Sequence, residues 1–328
     1  MIESRPVRIA IVGPTAVGKT AVSIVLAQSL SAEIVSADSM QVYRHMDIGT
    51  AKPSTDEQRQ AHFHLIDMVE PDAEWTLADY QTAAESACDE IALREKLPLI
   101  VGGTGLYIRS LTTRLEIPSV TPNEALREEL RNEAEEFGNE RIHERLRLID
   151  PKSADRIHVN DVKRIVRALE VYAALGVTMT QLHEENQTRQ TGDRNIIIGL
   201  NFADRRKLYA QIEVRVDEMI AAGFVDEVKL LLDSGYGPDL KPMQSLGYRH
   251  ICEYLSGNRT LDAAVEEMKS DTRHYARRQL IWFRGDKRVR WIDVDGRAAE
   301  SVALEIEQIL GTNRSMIEGN RGNEQTAT

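Results

Sequence analysis

The chain has 328 residues, of which 42% are hydrophobic and 28% charged, and its formal net charge is −11. This balance is typical of a folded protein and excludes a largely disordered one. The two cysteines, Cys88 and Cys252, are too few for a disulfide framework, a four-cysteine zinc site or an iron–sulfur cluster. Neither a signal-length apolar segment at the N-terminus nor a run of ~20 apolar residues is evident. We therefore expect a cytoplasmic protein with no membrane association.

The hydrophobic pattern predicts buried strands that alternate with helices. The first three predicted strands cover residues 7–13, 33–37 and 97–102. A helix should begin near Gly18, directly after the first strand, and another should cover about 77–95, before the third strand. Buried strands separated by helices are typical of an α/β protein with a parallel sheet.

The stretch from 116 to 194 is too long for a single connection between strands and is predicted to be helical. Its three expected helices are 124–137, 140–149 and 161–175, with Asn160 or Asp161 as the cap of the last. Two further strands are expected after it, at 196–200 and 289–294. Three further helices are expected at 205–221, 225–234 and 261–283.

These elements predict an α/β fold: a P-loop-containing, doubly wound parallel sheet with an inserted all-helical domain. We assign residues 1–115 and 195–310 to the core and 116–194 to the insertion. Residues 311–328 contain few apolar side chains and are expected to form a flexible tail.

A phosphate-binding loop is the clearest motif in the chain. Its pattern, G-x-x-x-x-G-K-[ST], lies between a predicted strand and a predicted helix. The glycines let the backbone wrap an anion at a helix N-terminus, Lys19 supplies positive charge, and Thr20 supplies a hydroxyl for Mg²⁺. The pattern therefore predicts binding of a phosphate chain. Its residues are Gly13, Pro14, Thr15, Ala16, Val17, Gly18, Lys19 and Thr20.

The position of the nearest carboxylate favours a transferase over a nucleotide motor or switch. ATPases and GTPases usually hold magnesium with an aspartate at the end of a second core strand. Here strand 97–102 ends in glycines, whereas Asp38 follows strand 33–37.

Three side chains outside the loop are candidates for chemistry. Asp38 lies at the carboxyl edge of the predicted sheet, where it can accept a proton from an acceptor nucleophile, or cap the next turn. Thr104 lies in a glycine-rich turn at the same edge, where it can bind the acceptor or simply stabilise the turn. Arg215 either reaches the phosphates or lies on the surface as a solvated side chain. The residues alone leave these alternatives open.

The charge of the chain is segregated. Residues 273–290 hold seven basic side chains and one acidic one, a net of +6, whereas 116–150 holds five basic and ten acidic, a net of −5. Tyr275, Trp282 and Phe283 are interleaved with the arginines of the first stretch, a combination that suits RNA phosphates and unstacked bases. A solvated helix face is the alternative.

Beyond the phosphate loop, much of the chain resembles the tRNA dimethylallyltransferases, also called tRNA isopentenyltransferases. The similar segments are 13–20, 38–43, 47–53, 62–67, 102–107, 163–170, 244–248 and 275–284. Asp-Ser-x-Gln-x-Tyr from Asp38 and Arg-Gln-x-x-Trp-Phe-Arg from Arg278 are the most specific, and the likeness extends over about 7–294. With no C-terminal zinc-finger cysteines, the chain looks like a bacterial form.

The resemblance implies transfer of a dimethylallyl group from dimethylallyl diphosphate to the exocyclic amine of adenosine 37 in tRNA, with Mg²⁺ as cofactor and diphosphate as product. It implies Asp38 as the base, Thr104 as a positioning group, and Lys19 and Arg215 on the diphosphate. The anticodon stem-loop would bind the inserted domain. Independently of the resemblance, no heptad seam or long apolar surface stripe is evident, so we expect a monomer. The implied tRNA contacts are Asp38, Ser39, Met40, Gln41, Thr104, Arg127, Lys163, Arg164, Arg167, Gln244, Arg277, Arg278 and Arg284.

Three other functions are compatible with parts of the pattern. An isopentenyltransferase acting on free adenine nucleotides would share the loop and Asp38, but has little need for the insertion or the basic stretch. A small-molecule kinase would share the loop, but the missing strand-end aspartate speaks against it. A tRNA-binding module without catalytic activity would need only the basic clusters and an anion loop.

Overall fold

The computed structural model describes residues 8–113, 117–118, 120–188 and 195–311. The chain divides into two compact units, Met1–Thr112 with Asp193–Thr328, and Thr113–Gly192. The strands, all in the first unit, are β1 Ile9–Val12, β2 Ala32–Ser36, β3 Phe63–His64, β4 Leu97–Gly102, β5 Ile196–Asn201 and β6 Val289–Asp293.

The helices of the first unit are α1 Lys19–Ser29, α2 Thr55–Gln60, α3 Leu77–Leu93, α4 Gly105–Thr112, α10 Arg205–Ala221, α11 Phe224–Asp233, α12 Tyr248–Leu255, α13 Leu261–Arg284 and α14 Ala299–Gly311. Those of the second unit are α5 Glu124–Phe137, α6 Asn139–Ile149, α7 Pro151–Arg156, α8 Val162–Leu175 and α9 Met179–Thr188. The predicted tail lies outside the described residues beyond Gly311.

The described strands form one parallel sheet in the order β3-β2-β4-β1-β5-β6. Val12 at the end of β1 lies opposite Gly102 of β4, and Ser36 at the end of β2 lies opposite Val101. The chain segments that follow β1, β2 and β4 therefore leave the same edge of the sheet. The prediction of a doubly wound α/β fold is confirmed.

Both faces of the sheet are covered, which explains why its strands are apolar without alternation. Ile9 and Ile11 of β1 point to the side covered by α1 and α14. Ala10 and Val12 point to the opposite side, where α3, α4 and Phe283 of α13 complete the second apolar layer. The sequence did not predict the short β3, nor α2, α4, α12 and α14.

The second unit has a small apolar core of its own. Leu130 of α5, Ile142 and Leu146 of α6, and Ile165 and Leu169 of α8 form its centre. The three predicted helices are present with ends shifted by at most one residue, whereas α7 and α9 were missed. Asp161 caps α8, as one of the two predicted candidates, by accepting a hydrogen bond from the backbone amide of Arg164 at 3.3 Å.

The Thr112 carbonyl oxygen, where the chain leaves the first unit, accepts hydrogen bonds from the segment that returns to it. Asn195 Nδ2 donates to the Thr112 oxygen at 2.8 Å, and Arg288 donates to the same oxygen at 2.7 Å. The core therefore closes on itself at the point where the chain leaves it and returns.

The described helices include none with both the length and the apolar character needed to cross a bilayer. The 24-residue helix α13, which is long enough, contains several charged side chains.

Candidate active site

The phosphate loop connects the buried strand β1 to helix α1, and its two glycines are required for different reasons. Gly18 precedes α1 with φ of +85°, in the left-handed region that favours glycine. Gly13 lies against β5, where an added Cβ would come within 2.5 Å of the Leu200 carbonyl oxygen. The loop therefore adopts the tight conformation that the motif predicts.

Lys19 is folded back along this loop. Its Nζ donates to the carbonyl oxygens of Gly13 at 3.1 Å and Pro14 at 2.7 Å. Burial, helped by the positive charge of Arg215, lowers the pKa of Lys19 to about 7, while the nearby Asp38 works in the opposite direction. An anion placed beside Lys19 favours the protonated amine, so binding of a phosphate chain and of a proton are coupled here.

Thr20 is suited to bind a cation together with the phosphates. Its hydroxyl makes no hydrogen bond within the described part of the chain, although its carbonyl oxygen accepts from Ser23. Mg²⁺ takes oxygen ligands, often only one or two from protein and the rest from phosphates and water. The donor set at the start of α1 therefore fits the predicted ion.

Asp38 follows β2 at the edge of the sheet and lines the same cleft as Lys19. Its Oδ1 accepts a hydrogen bond from the Met40 backbone amide at 2.9 Å, so the turn-capping alternative is realised. Its Oδ2 makes no hydrogen bond to any residue that the structure describes. One oxygen thus stabilises the turn and the other is available to a substrate proton.

Thr104 joins the ends of β2 and β4. Its Oγ1 accepts from the Ser39 backbone amide at 3.0 Å and donates to the Ser39 hydroxyl at 3.3 Å. Its own amide donates to the Ala37 carbonyl oxygen at 3.1 Å. Hydrogen bonds of Thr104 with Ala37 and Ser39, the residues on either side of Asp38, therefore hold Asp38 beside the Thr104 hydroxyl.

Tyr275 of α13 adds an aromatic hydroxyl to this group. Burial raises the pKa of its phenol, as does the negative charge of Asp38, whereas hydrogen bonds with Thr104 and Gln279 oppose the shift. The phenol therefore stays protonated at neutral pH and can donate a hydrogen bond.

Two adjoining cavities meet at Asp38. The first, about 770 Å³, contains the phosphate loop, and the second, about 510 Å³, lies between Met40 and helices α10, α12 and α13. Arg215, on the wall of both, has its pKa lowered by burial, although Asp38 counters the effect. The lining residues common to the two cavities are Thr15, Asp38, Thr50, Arg215, Met219 and Tyr275.

Gln41, one of the predicted tRNA contacts, makes hydrogen bonds within the protein itself. Its Oε1 accepts from the Ser36 hydroxyl at 2.9 Å, and its Nε2 donates to the carbonyl oxygens of Thr50 at 3.4 Å and Ala51 at 3.1 Å. Gln244, on the wall of the second cavity, donates to the Pro238 oxygen at 2.7 Å. Their contacts with tRNA stay predictions.

Gln279 is a site residue that the sequence analysis did not single out. It is buried on α13, accepts a hydrogen bond from the Thr15 amide in the phosphate loop, and donates to the Gly103 carbonyl oxygen. Its only sequence signal is its place in the specific segment that begins at Arg278.

The basic face of α13 is largely as expected, with one correction. Arg277, Arg278 and Arg284 are exposed, and the Arg278 guanidinium lies 5.7 Å from the centre of the Tyr275 ring. Phe283, however, is only 2% exposed and belongs to the core beneath the sheet, so the expectation that it grips RNA was wrong. It lies on the apolar face of the helix, whereas Trp282 is 45% exposed.

In the second unit, the predicted tRNA contacts divide into two groups. Lys163 and Arg164, at the start of α8, are exposed. Arg127 and Arg167 instead bind the carboxylate of Glu170, which is 1% exposed, through hydrogen bonds of 2.8 and 3.1 Å from Arg127 and 2.6 Å from Arg167. These two arginines neutralise a buried charge within the unit.

Two family models and a relative of high identity match this chain. A family model described as IPP transferase matches residues 41–286, and one described as isopentenyl transferase matches residues 7–68. A tRNA dimethylallyltransferase of Alkaliphilus metalliredigens is 46% identical over 300 residues, which cover 92% of this chain and 95% of the relative.

Two solved structures extend this likeness to the fold. The full-length tRNA isopentenylpyrophosphate transferase from Bacillus halodurans is 38% identical, with a TM-score of 0.71, and the match covers 97% of this chain and 100% of that one. A eukaryotic dimethylallyltransferase acting on tRNA is 25% identical, with a TM-score of 0.79, over 94% of this chain and 80% of that one. The likeness therefore includes both the core fold and the sequence.

Proposed function

The chain belongs to the IPP transferase family, and we propose that it transfers a dimethylallyl group from dimethylallyl diphosphate to the exocyclic amine of adenosine 37 in tRNA. The observation that carries the proposal is the position of Asp38 at the junction of the phosphate-loop cavity and the second cavity. A diphosphate bound by the loop and an amine beside Asp38 then face each other from the two cavities.

The donor end of the site stabilises a leaving diphosphate. The phosphate loop, Lys19 and Arg215 line one cavity, where backbone amides and two cationic side chains would stabilise the negative charge that grows as the diphosphate departs. We further propose that Thr20 and the diphosphate hold Mg²⁺, which would neutralise part of that charge.

The acceptor end removes a proton. The amine nitrogen forms a bond to the allylic carbon while the bond from that carbon to the diphosphate oxygen breaks, and the electron pair stays on the oxygen. Asp38 takes the amine proton through its available Oδ2, and Thr104 positions the amine. An allylic carbon tolerates positive charge, so an aromatic amine can attack it although such an amine is a weak nucleophile.

The tRNA must present a base that has left its stack in order to reach Asp38. We propose that Arg277, Arg278 and Arg284 on α13 bind the phosphates of the anticodon stem-loop, and that Lys163 and Arg164 of the second unit do the same. In this proposal the enzyme acts as a monomer in the cytoplasm.

The test is an incubation of the protein with Mg²⁺, labelled dimethylallyl diphosphate and unmodified tRNA, followed by nuclease digestion and mass analysis. We expect isopentenyladenosine at position 37. Asp38→Asn should lower the rate by about 10²- to 10⁴-fold because the general base is lost. Asp72→Asn, the same change at an exposed side chain, should not.

Two outcomes would contradict the proposal. Label that appears only on AMP or ADP would identify an enzyme that acts on free nucleotides. Binding of tRNA without transfer to any acceptor would identify a binding protein.

A further inference from the structure

The Glu227 carboxylate, in the first turn of α11, accepts hydrogen bonds from three consecutive backbone amides. Its Oε2 accepts from Asp47 at 3.0 Å and Ile48 at 2.7 Å, and its Oε1 accepts from Gly49 at 3.2 Å. The Tyr248 hydroxyl donates to the same Oε1 at 2.6 Å. One half-buried side chain thus binds four donors, three of them from a segment about 180 residues earlier in the chain.

The segment from 47 to 53, here termed the clasped loop, forms a wall of both cavities. Most of its residues line the phosphate-loop cavity, whereas Gly49 and Thr50 line the second one. Gly49 lies flat against aromatic rings, since an added Cβ would come within 2.3 Å of the Phe224 ring and 2.5 Å of the Tyr248 ring. The loop is therefore held against α11 and α12 by contacts that fix its position closely.

The clasped loop is connected to the catalytic edge of the sheet through Gln41. The Thr50 and Ala51 carbonyl oxygens accept from Gln41 Nε2, and Gln41 Oε1 accepts from the hydroxyl of Ser36, the last residue of β2. Asp38 follows two residues later. A displacement of the loop would thus remove the partners that orient Gln41 beside Asp38.

We infer that Glu227 is a positioning residue for the transfer reaction, acting through the clasped loop and Gln41 on the cavity wall next to Asp38. Glu227 itself is not among the residues that line either cavity, so it acts indirectly. The inference rests on the proposed function, because it concerns the geometry of the acceptor site.

The loop has a second anchor, which keeps the inference testable in a folded protein. Lys52 Nζ, whose side chain is 3% exposed, binds the carboxylates of Asp47 and Asp67 at 2.6 Å each and the Tyr43 carbonyl oxygen at 2.9 Å. A change at Glu227 therefore removes one anchor of the loop and leaves the Lys52 anchor in place.

The test compares Glu227→Gln with Asp226→Asn. The first keeps the shape of the side chain but has one acceptor oxygen for four donors. The second removes the same charge from the adjacent, exposed position of the same helix. We expect Glu227→Gln to lower kcat about 10- to 100-fold, the effect of a misplaced reacting group, with the KM for dimethylallyl diphosphate little changed. Asp226→Asn should match the wild type.

Two further measurements separate positioning from general instability. Amide hydrogen exchange at residues 47–49 should accelerate in Glu227→Gln, while exchange in the strands of the sheet and the Tm stay close to wild-type values. In a double-mutant cycle with Gln41→Ala, the two effects on kcat should not multiply, because Glu227 acts through Gln41.

A Glu227→Gln protein with wild-type kcat, unchanged exchange at 47–49, or effects that multiply with those of Gln41→Ala would overturn the inference. A wild-type protein without transferase activity would overturn the proposed function, and the positioning role of Glu227 with it. The exchange measurement needs no substrate, so it shows independently of activity whether Glu227 protects the amides of residues 47–49.

Discussion

Gln279 accepts a hydrogen bond from the backbone amide of Thr15 at 2.8 Å, although the two residues are 264 positions apart. The same carboxamide donates to the Gly103 carbonyl oxygen at 3.0 Å. The phosphate loop and the turn that carries Thr104 are thereby tied to one side chain of α13. The relative position of the donor and acceptor ends of the site depends on this helix.

Replacing Gln279 by methionine, which has a similar volume, should weaken both stability and donor binding. The loss of two hydrogen bonds, at about 0.5–1.5 kcal/mol each, predicts a free energy of unfolding lower by ~1–3 kcal/mol. The KM for dimethylallyl diphosphate should rise because the phosphate loop loses the hydrogen bond between the Thr15 amide and Gln279. Urea unfolding and steady-state kinetics measure the two effects, and Gln28→Met, on the exposed face of α1, is the control. A wild-type KM for dimethylallyl diphosphate would show that the hydrogen bonds of Gln279 contribute to stability but not to donor binding.

Donor binding should depend on pH through Lys19. Since the pKa of Lys19 is about 7, its amine in the free protein loses its proton above that pH. Binding of diphosphate favours the protonated amine, so above pH 7 binding requires the uptake of a proton from solution. Donor affinity should therefore fall as the pH rises above about 7, with a limiting slope of about tenfold per pH unit.

Calorimetry in buffers of different ionisation enthalpy should detect the proton taken up on binding. Lys19→Arg should reduce the pH dependence, because arginine stays charged throughout this range. The titration of the ligand itself is the same for both proteins. Equal slopes for the two would contradict the role assigned to Lys19.

Glu33, at the start of β2, should determine much of the acid stability. Burial acts to raise its pKa, but hydrogen bonds from Arg94, Lys96 and His64 outweigh that effect and hold it at about 2, against 4.5 for an ordinary glutamate. The charged form thus stabilises the fold above pH 4.5, and this contribution, about 3 kcal/mol, is lost as the pH falls towards 2.

Glu33→Gln should accordingly reduce the free energy of unfolding at neutral pH and flatten its decline in acid. Chemical denaturation at a series of pH values provides the measurement, with Glu74→Gln at an exposed position as the control. If the variant kept the wild-type acid profile, the three hydrogen bonds would contribute nothing to stability.

The arginines of the second unit should differ in what they affect. Arg127→Ala leaves the buried Glu170 with Arg167 and the Asn123 amide as partners, and should destabilise the protein by about 1.5–3 kcal/mol, the contribution of hydrogen bonds to a charged group. Arg164→Ala changes an exposed side chain and should leave stability nearly unchanged. It should lower tRNA affinity and reduce the salt dependence of binding by about one phosphate contact. Thermal unfolding and filter binding over a range of salt concentrations distinguish the two.

The fold and the centre of the site were predictable because each rests on a local pattern or a general rule. Continuous apolar runs indicated buried parallel strands, and the glycine spacing indicated the phosphate loop. Asp38 and Thr104 follow two different strands, and the carboxyl ends of parallel strands meet at one edge of a sheet. That rule brings them together without any knowledge of the side chains.

Other features depend on tertiary contacts that the sequence does not encode locally. Gln279 is a buried amide within an arginine-rich helix, and its partners are far away in the chain. Phe283 was misassigned because its neighbours are basic, although Ala276, Leu280 and Phe283 share the helical spacing of a buried face. The hydrogen bonds of Arg127 to the buried Glu170 join residues 43 positions apart and could not be read from the sequence, and the contact of Arg127 with tRNA stays a prediction.

The hydrogen bond from Asn195 to the Thr112 oxygen shows that the core does not depend on the long detour between them for its closure. β1 pairs with β4, which precedes the detour, and with β5, which follows it. A segment of different length or structure could in principle replace residues 113–194, from a short linker to a much larger domain. The inserted part of the acceptor-binding surface can thus be exchanged, trimmed or enlarged, in evolution or by protein engineering, while the phosphate loop, Asp38, Thr104 and the arginines of α13 stay together in the core.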